Sequence, residues 1–137
     1  MGEPKLKRKE RSVSALRLFD AHCHLQDEKI RPSLSLILER AAQAGVMRMA
    51  CCGTRESDWD AVRDMAAKYP AVIPAFGLHP WHIQDRSTGW LANLAAKLEQ
   101  PGSVVGEIGL DHALDDRDDI AQETVFLEQL ELSRRLN

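Results

Sequence analysis

Two histidines with a single residue between them, His22 and His24, lie at the end of the first apolar stretch of the sequence. Alternate side chains of a β-strand point to the same face, so the two rings would stand side by side with Asp20. On a helix the same spacing would turn the rings about 200° apart, and they could not share one ion. Because imidazole nitrogen binds zinc and other divalent transition metals, the spacing favours a metal-binding pair, with Asp20 placed to hold a ring nitrogen in one tautomer. The alternative is a pair of ordinary surface histidines.

A carboxylate and two more histidines follow later apolar stretches. Glu107 stands between Gly106 and Gly109, and His79 and His82 follow the third stretch. In parallel α/β folds functional groups gather at the carboxyl ends of the strands, and small neighbours leave room for a ligand. Taken alone, Glu107 also fits a solvated acid in a glycine-flanked turn. Three of the four predicted strands deliver His or Glu to one rim, and this coincidence favours a site.

The elements that must position these side chains are strands and helices in alternation. Stretches rich in apolar or β-branched residues predict four strands, at 16–22, 47–53, 71–77 and 104–109. Apolar stripes at helical spacing predict four helices, marked by Leu34, Ile37, Leu38 and Ala41; Val62, Met65, Ala66 and Tyr69; Leu91, Leu94, Ala95 and Leu98; and Ala121, Val125, Leu132 and Leu136. Ser57 is the predicted N-cap of the second helix, which Pro70 ends.

This alternation predicts an α/β fold built from parallel βα repeats. Strands at 47–52 and 71–76 are nearly continuous apolar runs, as strands covered by helices on both faces require. A chain of 137 residues is too short for a complete (β/α)8 barrel, which takes roughly 250 residues. A doubly wound sheet and half of a barrel both remain open at this point.

Composition is that of an ordinary globular protein, with 44% hydrophobic residues, 28% charged residues and a formal net charge of -3. The first 15 residues form a basic segment, expected to be a disordered, solvated tail, with a nuclear address or a nucleic-acid arm as the alternative. Three cysteines, two of them adjacent, do not make a disulfide framework. With no signal sequence or membrane-length apolar run, we expect an intracellular protein, cytoplasmic or nuclear.

Three ordered motifs resemble the TatD family of metal-dependent hydrolases: DAHCH at 20–24, GLHPW at 77–81 and GEIGLD at 106–111. The resemblance covers nearly the whole chain, with 16–137 as one partial barrel domain. It implies the first half, about four βα units, of a TIM-type barrel. It also implies one or two divalent ions (Mg, Mn or Zn) and hydrolysis of DNA phosphodiester bonds, often as a 3′ to 5′ exonuclease.

The same resemblance assigns roles to individual residues. His22 and His24 would bind the first metal ion, and Glu107 would bridge two ions as the catalytic carboxylate. His79 would lie near the scissile phosphate and bind substrate. Asp111 matches the motif but is not expected to be a ligand. Like Asp20, it is expected to support the ligand side chains without binding the metal ion.

Three further groups of residues near the motifs also receive predictions. Of the tryptophans, Trp81 is expected at the substrate mouth because it follows His79 so closely. Cys51 and Cys52 are interpreted as buried, inert thiols rather than ligands. The acidic loop at 111–119 lacks the glycine and terminal glutamate of a calcium loop, so we expect it to be solvated and to favour the next helix N-terminus.

Further family ligands, two histidines and a late aspartate, do not occur in this sequence. The expectation is therefore half of a metal site, with slow or absent hydrolysis. Two alternatives stay open. One is removal of D-aminoacyl groups from tRNA, a second activity of the family. The other is a catalytically inert fragment that binds metal, or that associates through open sheet edges with a second copy or with a missing C-terminal half.

Overall fold

A computed structural model describes residues 17–136, so the predicted basic tail at 1–15 lies outside the described residues. The strands are β1 Leu18–Cys23, β2 Val46–Cys52, β3 Val72–Phe76 and β4 Val104–Val105. The helices are α1 Leu34–Gln43, α2 Glu56–Lys68, α3 Trp90–Leu98 and α4 Asp119–Leu136, with 3-10 turns at Arg31–Ser33 and Pro80–Asp85. Strands and helices alternate as the sequence predicts.

The four strands form one parallel sheet in the order β1-β2-β3-β4. This arrangement confirms the predicted α/β class and its parallel βα repeats. All strands point the same way, so their carboxyl ends meet at one rim, where the loops that carry the predicted site residues begin. No helix within residues 17–136 is both long and apolar enough to cross a membrane.

The fourth strand is shorter than predicted: it covers Val104–Val105 rather than 104–109. The cause is the length of the neighbouring strand. β3 ends at Phe76, which pairs with Val105. Residues after Val105 therefore have no strand residue with which to continue the ladder. Glu107 therefore lies on a loop just past the sheet.

One apolar core joins the sheet to the helices. It includes Val62 and Met65 of α2, Leu94 of α3, and Val125 and Leu132 of α4. The predicted stripes of α1, α2 and α3 all pack on this core. The predicted stripe of α4 is confirmed only in part. Its last member, Leu136, is 42% exposed, and the buried face of the helix also includes Gln122 and Gln129.

Helix α2 begins one residue before the predicted cap. Its first residue is Glu56, and Ser57 is exposed inside the first turn, so the prediction of Ser57 as N-cap is wrong. Asp58 satisfies the free N–H groups instead: its carboxylate accepts from the backbone of Thr54 at 3.0 Å and of Arg55 at 3.3 Å. A carboxylate at this end also suits the helix dipole.

Candidate metal centre

Three ligand atoms form a nearly equilateral triangle at the rim. His22 Nε2 lies 3.2 Å from His24 Nε2 and 3.2 Å from Glu107 Oε2, and His24 Nε2 lies 3.3 Å from the same oxygen. Neighbouring ligands of an ion are separated by about 2.8–3.0 Å in an octahedron and about 3.3–3.6 Å in a tetrahedron with bonds of 2.0–2.2 Å. Their spacing fits a divalent cation without selecting one. Within the described residues, this is the one group of three such ligands close enough to hold an ion.

Proton placement on His24 supports the same conclusion. Its Nδ1 lies 2.8 Å from the main-chain oxygen of Cys52. A carbonyl oxygen can only accept, so Nδ1 carries the proton, and in the neutral ring Nε2 presents a lone pair to the triangle. That lone pair faces a Glu107 carboxylate oxygen that also only accepts. A cation between them resolves the contact, and this is the usual arrangement of a metal-ligating histidine.

The contact that orients His24 differs from the prediction. Asp20 was predicted to hold a histidine ring, but its carboxylate accepts from the main-chain N–H of His22 at 3.1 Å. Cys52 supplies the ring contact through its carbonyl, and Gln26 Nε2 donates to the same oxygen at 2.7 Å. Asp20 therefore shapes the β1 terminus rather than a tautomer. Every residue has a main-chain carbonyl, so residue types do not indicate which carbonyl accepts from His24. This contact therefore could not be predicted from the sequence.

Glu107 reaches the triangle because two glycines let its loop lie against β3. A Cβ on Gly77 would stand 2.6 Å from the main-chain oxygen of Glu107 and 2.7 Å from Ile108 Cγ2. A Cβ on Gly106 would stand 2.9 Å from the main-chain carbon of Ala75. Both approaches are too close for any side chain, so glycine at these positions is a condition of the site.

His79 completes the rim on the other side of Glu107. Its Nε2 lies 3.5 Å from Glu107 Oε1, the carboxylate oxygen that faces away from the histidine pair. The main-chain N–H of Trp81 donates to His79 Nδ1 at 3.1 Å, so the proton of the neutral ring is on Nε2. His79 thus presents a donor toward the centre, whereas His24 presents a lone pair.

Two buried glutamines of α4 hold the loops on this side. Gln129, 1% exposed, accepts from the main-chain N–H of Leu78 at 2.7 Å and donates to its carbonyl at 3.2 Å. Gln122, 2% exposed, makes the same pair of bonds to Asp111, at 2.8 and 3.1 Å. Leu78 directly precedes His79, so one helix anchors two loops of the rim.

The sequence analysis missed both glutamines because the predicted stripe of α4 was drawn from apolar residues alone. A signal was available: positions 122, 125, 129 and 132 follow helical spacing, and a glutamine that shares a stripe with Val125 and Leu132 must enter the core. A buried amide must be hydrogen-bonded, so its presence on that face predicts a main-chain partner.

Asp111 and Trp81 interact directly. The indole N–H of Trp81 donates to Asp111 Oδ2 at 2.6 Å, and the main-chain N–H of Ala113 donates to Oδ1 at 2.8 Å. Both hydrogen bonds, that from Trp81 first, lower the pKa of Asp111. As predicted, Trp81 lies at the mouth of the site: it lines a cleft of about 840 Å³ that also includes His24 and Glu107.

The adjacent thiols lie behind the centre rather than in it. Cys51 and Cys52 are both buried, and neither they nor Cys23 form a disulfide. Burial, with a further contribution from the Glu107 carboxylate, raises the pKa of Cys52 to about 11. This thiol is therefore protonated at neutral pH and not a ready ligand.

The acidic loop also matches its prediction at the helix end. Asp118 Oδ1 accepts from the main-chain N–H of Ala121 at 2.9 Å, in the first turn of α4. The carboxylate satisfies a free donor there, as a cap does.

The fold and the site together define a class: a parallel βα protein with a candidate His-His-Glu metal centre at the carboxyl ends of its strands. The particular family follows from comparison with known proteins. A family model described as "TatD related DNase" matches residues 19–137. The chain belongs to the TatD family, and its strands correspond to the first half of that family's barrel.

Individual relatives agree with this assignment. An uncharacterized metal-dependent hydrolase, YjjV of Escherichia coli, is 36% identical over 122 residues, which cover 87% of this chain and 47% of the relative. The crystal structure of the YjjV protein matches with a TM-score of 0.80 at 34% identity, over 88% of this chain and 48% of that one. A protein of Erwinia tasmaniensis named 3'-5' ssDNA/RNA exonuclease TatD is 29% identical over 88% of this chain and 47% of its own length. This chain therefore spans about half the length of these relatives.

Proposed function

We propose that this chain carries the first metal-binding part of a deoxyribonuclease that hydrolyses DNA phosphodiester bonds. The observation that carries the proposal is the triangle of His22, His24 and Glu107, whose edges of 3.2–3.3 Å match a divalent cation. The names of the matching family and of the Erwinia relative support DNA as the substrate.

In this proposal His22 and His24 bind the ion through their Nε2 atoms, together with Glu107 Oε2. A divalent ion there supplies positive charge for the phosphate oxygens and a source of hydroxide near neutral pH. The Cys52 carbonyl keeps His24 in the ligating tautomer, since it fixes the proton on Nδ1. The second carboxylate oxygen of Glu107, Oε1, lies 3.5 Å from His79 Nε2 rather than in the histidine pair's triangle.

His79 is the proposed substrate-binding residue. Its Nε2 proton points toward the same region as Glu107 Oε1, 3.5 Å away. A phosphate oxygen that replaces Glu107 Oε1 as the partner of Nε2 would receive a hydrogen bond from the imidazole, because the main-chain N–H of Trp81 already occupies Nδ1. This donor is fixed before the substrate arrives, and fixed donors stabilise charge that develops during the reaction.

A titration and a cleavage assay on the 137-residue chain test the proposal. We expect Zn²⁺ or Mn²⁺ binding by calorimetry to weaken by at least tenfold in His22→Ala and less in Glu107→Gln. We expect slow Mn²⁺-dependent cleavage of labelled single-stranded DNA that Glu107→Gln abolishes. Glu123→Gln, an exposed carboxylate of α4, is the matched control. Unchanged metal affinity in His22→Ala would refute the assignment, and cleavage that survives Glu107→Gln would place the activity elsewhere.

We also propose that the open edges of the sheet pair with β-strands that do not belong to this four-stranded sheet. In the order β1-β2-β3-β4, the first and last strands each have one partner, and Phe19 of β1 is 54% exposed. An apolar edge strand with free main-chain groups attracts a second strand. Sedimentation at micromolar concentration should find dimers or larger species, while a stable monomer that unfolds cooperatively would contradict the pairing.

A further inference from the structure

We propose, on the basis of the proposed function, that Trp81 is a stacking platform for one base of a single-stranded nucleic acid. The adjoining phosphates would lie along the cationic side chains Lys29, Arg31 and Arg55 of the same cleft. This assignment gives the site a means of holding a nucleotide that neither the metal ligands nor His79 supplies.

Trp81 differs from the other two tryptophans in exposure. Trp59 and Trp90 are 1% and 6% exposed and belong to the core, whereas Trp81 is 61% exposed on the wall of the cleft. A large apolar ring left in water beside a polar centre has no packing role. Exposed aromatic faces of this kind are what single-stranded nucleic acids use, because every base can stack on them.

The exposed indole is nevertheless held in place. Its N–H donates to Asp111 at 2.6 Å, and its ring stands edge-on to His79 with centroids 5.1 Å apart. Asp111 in turn is fixed by Gln122 through both of its main-chain groups. A ring already ordered loses little freedom when a base stacks on it, which favours binding.

His79 connects Trp81 to the candidate metal centre. Its ring makes a T-shaped contact with the indole at 5.1 Å between centroids, and its Nε2 lies 3.5 Å from Glu107 Oε1. A base on the indole would therefore bring its own phosphate close to His79 and the Glu107 carboxylate. The stacked base would then set which phosphodiester bond reaches the metal.

The charges along the cleft support an anionic strand. Lys29, Arg31 and Arg55 line it, and none of them forms an ion pair within residues 17–136, whereas Arg63, Lys97, Arg117 and Arg134 do. Carboxylates are present on the same walls. Two of them, Asp27 and Asp58, already accept hydrogen bonds from main-chain N–H groups. Glu28 and Glu107 are the other carboxylates of the lining, and within residues 17–136 none of the four lies within ion-pair distance of Lys29, Arg31 or Arg55, so the three cations remain available to phosphates.

A binding experiment separates stacking from other effects. Fluorescence anisotropy of a labelled ten-residue oligothymidylate is measured in EDTA, so that metal-dependent cleavage does not occur. We expect Trp81→Leu to weaken binding by roughly 5- to 150-fold, the range for the loss of one stacked base, and Trp81→Phe to weaken it much less. Both variants lose the bond to Asp111, so their difference reports the aromatic face alone.

Two controls make the inference falsifiable. An abasic oligonucleotide of the same length and charge should bind the unmodified chain about as weakly as oligothymidylate binds Trp81→Leu. Arg55→Gln should reduce the slope of log affinity against log salt by about 0.7, while Arg48→Gln, an exposed cation of β2 outside this cleft, should leave it unchanged. Equal binding by Trp81→Leu and the unmodified chain, or by abasic and normal strands, would overturn the proposal.

The outcome also distinguishes this inference from the proposed function. A chain that binds the oligonucleotide through Trp81 but never cleaves DNA would count against the nuclease and support the platform. Cleavage by Trp81→Leu with an unchanged KM would count against the platform and support the nuclease.

Discussion

The two sides of the candidate metal centre are built in different ways. The side formed by His22 and His24 depends on neighbouring strands: His22 lies in β1, His24 directly follows that strand, and the Cys52 carbonyl of β2 orients His24. The side formed by His79 and Glu107 depends on loops beyond β3 and β4. Those loops are held by α4, which reaches Leu78 from 51 residues away along the chain.

This difference separates two kinds of constraint. β1 pairs with β2 with a register shift between Asp20 and Cys23, and His24 directly follows the strand, so the strand end and the Cys52 carbonyl together place the two rings. Loops have no ladder, so their main-chain groups need other partners, and here the amides of Gln122 and Gln129 supply them. The second side should therefore be more sensitive to changes in a distant helix than the first.

The largest effect should come from Gln129→Met, which keeps the size of the side chain and removes its amide. Leu78 would lose partners for both its N–H and its carbonyl in a buried place, at a cost of about 2–4 kcal/mol. Urea unfolding measures this loss, with the exposed neighbour Glu128→Met as the matched control. Equal stability of the two variants would contradict the proposed difference between the sides.

A smaller effect is expected from Gln122→Met. Asp111 is only partly buried, so water can replace the two lost bonds, and the free energy of unfolding should fall by about 1–2 kcal/mol. The same change should loosen Trp81, because Asp111 holds its indole. Nuclear magnetic resonance of the indole N–H reports that loosening, with Glu123→Met as the control. An unaltered Trp81 resonance would show that Asp111 is positioned without Gln122.

The side formed by His22 and His24 could be predicted because the residue type and the spacing of the two histidines indicate it. A His-x-His pair places two rings on one strand face, and the structure brings both within 3.2–3.3 Å of Glu107 Oε2. Glu107 itself was predicted from its place at the end of the fourth strand, between two glycines, although that strand is only two residues long and Glu107 lies just beyond it. The parallel fold was predicted for the same reason, since alternation of strands and helices leaves few topologies.

Other contacts could not be read from residue types. The ring of His24 is oriented by a main-chain oxygen, and every residue has one, so Asp20 was the wrong choice for that role. The cap of α2 was assigned to Ser57 because serine prefers that position, but the helix begins at Glu56, and Asp58 in its first turn accepts from the main-chain N–H groups of Thr54 and Arg55. The first error concerns a partner that only the folded chain brings into range, whereas the second concerns a local contact at the helix end.

The smallest expected effect concerns the pH dependence of the Trp81 anchor. Its hydrogen bond and that of Ala113 lower the pKa of Asp111 below the usual 3.8. Because the folded pKa is the lower one, the bond between Trp81 and the ionised carboxylate is complete above 3.8 and is lost as the pH falls through the folded value. The indole N–H resonance of Trp81 should therefore show a shift in solution more acidic than about pH 4 that reports the protonation of Asp111. Asp111→Asn should abolish that shift, and a midpoint at or above 3.8 would show that the carboxylate does not hold the indole.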